Sequence, residues 1–202
     1  MSFKHLHISS LLSELHMKKQ FALLAFAFVI AFTGCQQQDQ EAMKMKEQEE
    51  ANKAAATRLF ETAWNTGDFT VIDELIPADA NDHASLPGKE PEKGPESFKK
   101  IIGMFRGAMP DTKMTILDEF AEGDKVVHRW FIEGTHTGDP LFGVPPSGNP
   151  VRFGGITIVR IEDGMVMDRW SQVDQLAILQ QLGLVPPMGP PPAEDGAEDA
   201  EG

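Results

Sequence analysis

Two stretches constrain the fold of this chain more than any others, "TKMTILDEFAEGDKVVHRWFIEGTHTG" and "VRFGGITIVRIEDGMVMDRWSQVD". Each is a pair of extended runs rich in β-branched and aromatic residues. Each turns on a short acidic, glycine-containing step, "EGD" in the first and "EDG" in the second, which is the signature of a β-hairpin. Four long antiparallel strands are therefore expected. Such a sheet is stable only when one of its faces is covered by another layer.

The covering layer precedes the strands. "ANKAAATRLFETAWNTGDF" sets Ala56, Leu59, Phe60, Ala63 and Trp64 at helical spacing, with Gly67 as a C-terminal stop. A short helix is expected in "TVIDEL", where Thr70 and Asp73 have capping-box spacing and Pro77 ends the run. "GPESFKKIIGMFRGAMPD" reads as a third helix: Pro95 suits a first helical position, Phe98, Ile101, Ile102 and Phe105 form one stripe, and Pro110 terminates it. After the strands, "QLAILQQLG" closes the domain with Leu176, Leu179 and Leu182 on one side and Gly183 at its end. Helices first and a meander afterwards predict an α+β fold, with three helices packed on one face of a curved antiparallel sheet and a short C-terminal helix.

Alternation along "RWSQVD" places Trp170, Gln172 and Asp174 on one face and Arg169, Ser171 and Val173 on the other. If the first set faces the interior, an acid lies beside an indole and an amide in an apolar hollow. Asp174 also stands where the N-cap of the following helix belongs, a role aspartate fills well. In "HRWFIEGTHTG", His128, Trp130 and His136 share one parity and Arg129, Phe131 and Glu133 the other. Alternation leaves open which set faces inward. On the inward side Arg129 would hold a substrate oxygen, and on the outward side it would form a cross-strand ion pair. "GTHTG" and "GVPPSG" read as loops at the rim. No HExxH, CxxC, phosphate-binding glycine loop or dinucleotide fingerprint occurs, so the sequence suggests neither a metal nor a cofactor.

Taken in order, "FETAWNTGDFTVIDELIPADANDH", "GPESFKKIIGMFRGAMPD", "EGDKVVHRWFIEGTHTGD", "FGVPPSGNPV" and "GGITIVRIEDGMVMDRWSQVDQLAILQQLG" resemble the SnoaL-like polyketide cyclases, or ester cyclases, of the nuclear transport factor 2-like superfamily. The resemblance runs from about Ala51 to Gly183 and implies a cone-shaped α+β domain. It implies that Asp174 is the acid/base aspartate, removing a proton next to a carbonyl so that the enolate closes a ring by intramolecular aldol attack. A base of that kind works best when burial lifts its pKa toward neutrality. By the same resemblance His83 would bond a substrate carbonyl or enolate and Trp64 would line the ligand pocket; Trp170 with Gln172, and Trp130 with His136, join that lining if their faces of the strands turn inward. The chain has no tyrosine, so the tyrosine-based sites of ketosteroid isomerase and scytalone dehydratase, relatives in this fold, cannot be built.

The N-terminal third carries a different message. "MKKQFALLAFAFVIAFTGC" has two lysines, an apolar run of 12 residues from Phe21 to Phe32, and small residues before Cys35. It is too short for a membrane span, which needs about 20 residues, and it has the pattern of a signal peptide. "FTGC" resembles a bacterial lipobox, so Cys35, the only cysteine, is expected to carry lipid. The expected organisation is an extension over 1–16, a lipoprotein signal peptide over 17–35, a polar tether over 36–50, the domain over 51–185 and an acidic proline-rich tail over 186–202. The tail has a disordered composition. Removing the leader, net +2, takes the chain from −13 to −15, a charge that opposes nucleic-acid binding. The expected location is the periplasmic side of a bacterial membrane, the outer one rather than the inner. Export is an unusual setting for polyketide tailoring. Three readings stay open: a cofactor-free cyclase or isomerase, a non-catalytic module binding an apolar small molecule, and a homodimer formed through the sheet.

Overall fold

In the computed structural model the described residues are 37–83, 90–186 and 189. The expected signal peptide, Cys35 and nearly all of the acidic tail lie outside them. The chain divides into two compact units, Met1–Gln48 and Glu49–Gly202. In the first, residues 37–48 are helical. The second holds the sheet and the helices that cover it.

Helix α1, residues 49–61 of the second unit, ends in a π-helical turn, Thr62–Thr66, with Gly67 left-handed at φ 73°. Its buried stripe is the expected one, Ala56, Leu59, Phe60, Ala63 and Trp64. Helix α2 spans Thr70–Leu75, but the capping box is absent. Thr70 is already helical, and Asp68 serves it by accepting from its backbone N–H at 3.0 Å and its hydroxyl at 2.6 Å. Helix α3, Pro95–Ala108, begins on its proline and buries Phe98, Ile102 and Phe105.

Strands β3 (Lys113–Glu122) and β4 (Lys125–Thr135) form the first hairpin, and β5 (Pro150–Glu162) and β6 (Met165–Val173) the second. Two further strands, β1 (Asn81–His83) and β2 (Glu92–Lys93), complete a six-stranded mixed sheet in the order β2, β1, β6, β5, β4, β3. They are too short to show any periodicity. β1 runs parallel to β6, pairing Asp82 with Arg169 and His83 with Trp170. Helix α4, Gln175–Gln181, follows β6.

Register sorts the side chains onto two faces. Trp130, Thr157 and Ser171 belong to the face under the helices. On the other face a row crosses five of the six strands from Phe120 through Val127, Ile158 and Trp170 to His83.

One buried pair away from the cavity makes stability depend on pH. His128, 1% exposed, lies edge-on to Phe60, and its Nε2 is 2.8 Å from Glu119 Oε1; Thr57 also donates to that oxygen. Burial outweighs the carboxylate and holds the imidazole below its ordinary 6.5. Burial also works to raise the Glu119 carboxyl, but hydrogen bonds from Thr57 and His128 outweigh it and leave the group below 4.5. Below pH 6.5 the unfolded chain therefore takes up a proton that folded His128 refuses. The stabilisation is complete above pH 6.5 and is lost as pH falls toward the depressed folded value, with Glu119 adding a second loss below 4.5. The unfolding free energy from urea titrations is expected to fall between pH 7 and 5, by up to about 1.4 kcal/mol per pH unit, and His128→Gln should flatten that slope. An equal slope in both proteins would assign the effect elsewhere.

Candidate active site

The space between α1, α3 and the sheet is not filled. A cavity of about 320 Å³ remains, roofed by Phe60 and Trp64 of α1 and by Ile101, Met104 and Phe105 of α3. Its floor is Trp130, Ile132, Phe153, Thr157, Ser171 and Val173 of the sheet, closed at one end by Gln175 and Ile178. Aromatic groups pack against one another around it: the Phe105 and Phe153 rings lie 4.9 Å apart, and Trp130 meets Phe153 edge-on at 6.2 Å. An apolar chamber with few polar groups is the usual form of a small-molecule site.

Three polar pairs interrupt the apolar wall, and the most exposed of them joins Lys100 Nζ to Glu92 Oε1 at 3.2 Å. Asp82 and Arg169 are 9% and 8% exposed, and the guanidinium grips the carboxylate bidentately, Nε to Oδ1 at 2.8 Å and Nη2 to Oδ2 at 2.5 Å. The Arg169 guanidinium also lies 4.3 Å over the Phe98 ring. Nearby, Trp130 Nε1 donates to Thr157 Oγ1 at 2.9 Å, and that oxygen lies 2.5 Å from Ser171 Oγ. The pairing of β5 with β6 sets Thr157 opposite Ser171, so strand register builds this hydroxyl pair. Chemically the wall offers a carboxylate able to take a proton, a guanidinium able to hold a developing negative oxygen, and two hydroxyls able to donate to such an oxygen.

The face of β6 turned to the cavity carries Arg169, Ser171 and Val173. Trp170, Gln172 and Asp174 belong to the other set, the reverse of what an inward Asp174 would require. Asp174 is exposed, and its Oδ1 accepts from Ala177 N at 3.0 Å, capping α4. His83 borders the cavity, but its ring stacks flat on Trp170 at 4.5 Å and its Nε2 meets Asp168 Oδ1 at 2.8 Å, on the outer face. Burial works to raise the Asp168 carboxyl, yet hydrogen bonds from His83, Arg160 and Asn81 outweigh it and hold it low.

Trp64 and Trp130 line the cavity. Arg129 does not: it is an exposed partner of Asp118, Nε to Oδ2 at 2.5 Å, on the outer face. His136 is fully buried but pins a loop, with Nε2 3.1 Å from the Asp139 carbonyl oxygen and Nδ1 3.5 Å from Ser147 Oγ. The residues that sequence reasoning missed are Asp82, Arg169, Thr157 and Ser171. Asp82 carries one signal, its place in "NDH" beside a histidine of more obvious chemistry.

A capping role for Asp174 has a direct consequence. Asp174→Ala is expected to cost about 1 kcal/mol and Asp174→Asn only a few tenths. Chemical denaturation of the two variants checks this, and equal losses in both would contradict the cap.

Residues 54–182 match the sequence model of the SnoaL-like polyketide cyclases. Among similar proteins is aklanonic acid methyl ester cyclase DnrD of Streptomyces peucetius, 30% identical over 129 residues, which are 62% of this chain and 87% of that one. Nogalonic acid methyl ester cyclase of Streptomyces nogalater is 30% identical over 125 residues, 60% of this chain and 90% of that one. Among solved structures, TsrD of Streptomyces laurentii superposes with a TM-score of 0.57 at 30% identity, covering 66% of this chain and 98% of its own.

Proposed function

The chain belongs to the SnoaL-like polyketide cyclase family, and on that premise we propose that it takes a small, largely apolar carbonyl compound of polyketide type into the cavity and removes a proton next to the carbonyl without a cofactor. The resulting enolate then closes a ring by attack on a second carbonyl of the same molecule, or is reprotonated elsewhere as an isomer. The observation that supports this reading is the buried Asp82 and Arg169 pair set in a largely apolar wall beside the Thr157 and Ser171 hydroxyls.

The family resemblance nominates Asp174 as the base, but its exposure and its bond to Ala177 favour the cap. We assign proton abstraction to Asp82. Arg169 holds the enolate oxygen through Nη1, the guanidinium nitrogen that the pair does not use. His83, turned to the outer face, supports the wall from behind.

A second reading, binding without turnover, is favoured by the same pair, because both Asp82 oxygens already accept from Arg169. The test is to offer the protein aklanonic acid methyl ester, the compound for which the relative DnrD is named, and to follow ring closure by chromatography. Ring closure supports the enzyme. Binding with no change supports the module, and failure to bind at all removes the cavity from consideration for this class of compound.

We further propose that the protein is exported and held on a bacterial membrane, on the periplasmic side and at the outer membrane, by lipid on Cys35. Membrane partitioning that Cys35→Ser abolishes is the matching observation. The outer-face row of Phe120, Val127, Ile158 and Trp170 supports homodimerisation through the sheet, with the mass from sedimentation equilibrium as the check.

A further inference from the structure

Two turns of this molecule share a backbone conformation and differ in one residue. The β5–β6 hairpin turns on Asp163 and Gly164, at φ 51° and 78°. The loop between β4 and β5 turns on Phe142 and Gly143, at φ 50° and 82°, with Leu141 and Val144 exchanging both backbone hydrogen bonds across it, N to O at 3.0 and 2.9 Å. Two central residues at positive φ make a type I′ turn, which favours asparagine, aspartate or glycine at its first central position. Asp163 fits that rule. Phe142 breaks it, since a bulky side chain at positive φ carries local strain, and strain of this kind is concentrated where a side chain has work to do.

The rest of the loop fixes where Phe142 stands. Gly138 N donates to the Ala108 carbonyl at 2.9 Å and Asp139 N to the Gly107 carbonyl at 2.8 Å, tying the loop to the end of α3. The fit is close: a Cβ on Gly138 would lie 1.9 Å from the Gly107 oxygen. His136 and Leu141, both fully buried, fasten it from beneath. From this anchored base the Phe142 ring reaches the cavity wall and meets Phe105 edge-on at 6.3 Å, while 49% of the residue stays exposed. A side chain that is half in solvent and half in a ligand chamber stands at its entrance.

Resting on the cavity reading above, we propose that Phe142 is a specificity-determining residue, a fixed aromatic stop at the entrance that sets how large a planar carbonyl compound the chamber admits. Its ring packs against a flat ligand and excludes a longer one. The strained turn holds it there in place of the residue the backbone would favour.

The experiment compares the wild type with Phe142→Asn and Phe142→Trp, titrating each with 1-tetralone and with the larger anthrone and reading quenching of Trp64 and Trp130, which line the cavity. Phe142→Asn should shift the affinity ratio toward anthrone by roughly tenfold, and Phe142→Trp should shift it the other way. Phe142→Asn should also melt at or above the wild-type temperature, because asparagine suits the turn. A ratio unchanged in both variants would overturn the proposal while leaving the cavity reading intact. A lower melting temperature for Phe142→Asn would overturn the strain argument on which it stands. If neither ketone binds the wild type, the cavity reading fails and takes this proposal with it, a result distinct from an unchanged ratio.

Discussion

Replacing Arg169 with methionine is expected to lower the unfolding free energy by about 3–5 kcal/mol, the usual loss when one partner of a buried ion pair is removed. The side chains of Arg169 and Asp82 are 10% and 11% exposed, so methionine would leave a buried carboxylate at the cavity wall without its guanidinium partner. The cost comes from the orphaned charge rather than from the lost attraction. A second substitution should therefore restore most of the loss: Arg169→Met with Asp82→Leu makes this part of the wall apolar throughout, and such replacements are often neutral or better. Urea unfolding of the wild type, the single and the double variant decides the matter. A double variant as unstable as the single one would mean that shape, not charge, holds β1 against β6.

The second large effect concerns chemistry. Asp82→Asn keeps the size of the side chain and one oxygen that can accept from Arg169, but it removes the proposed proton acceptor. Loss of a general base lowers turnover by roughly 10²–10⁴-fold, so ring closure of aklanonic acid methyl ester is expected to fall by that amount. Asp174→Asn should leave turnover within a few-fold. The opposite pattern, full activity in Asp82→Asn and none in Asp174→Asn, would return the base to the helix cap. Melting curves run beside the assays separate lost chemistry from lost structure.

Much of the architecture was legible in the sequence because local signals agreed with one another. Pro95 and the stripe from Phe98 to Phe105 mark α3, and "EGD" and "EDG" mark both hairpin turns. The site was harder to read, for a physical reason. Alternation divides β6 into two sets but does not say which is inward, and hydrophobicity argues for the set that holds Trp170. Arg169 goes inward instead because Asp82 and Phe98 meet it there, and Asp82 is 87 residues away along the chain. β1, which carries Asp82, is only three residues long. Thr157 reads in sequence as an ordinary strand residue and becomes a cavity hydroxyl only through its register with Ser171. Phe142 left no mark at all, since only the backbone angle reveals that it is out of place.

Everything proposed for the chemistry depends on this cavity removing a proton from a bound carbonyl compound. Ring closure reports that event only indirectly, because a proton can leave and return without a bond forming. Deuterium uptake from D₂O at carbon next to a carbonyl of aklanonic acid methyl ester, followed by NMR with and without the protein, reports it directly. Uptake is expected to be faster than in buffer, to saturate with the ester and to fall to the buffer rate in Asp82→Asn. Uptake at the buffer rate while the ester quenches Trp64 and Trp130 would contradict proton abstraction and leave a binding protein built on a cyclase fold.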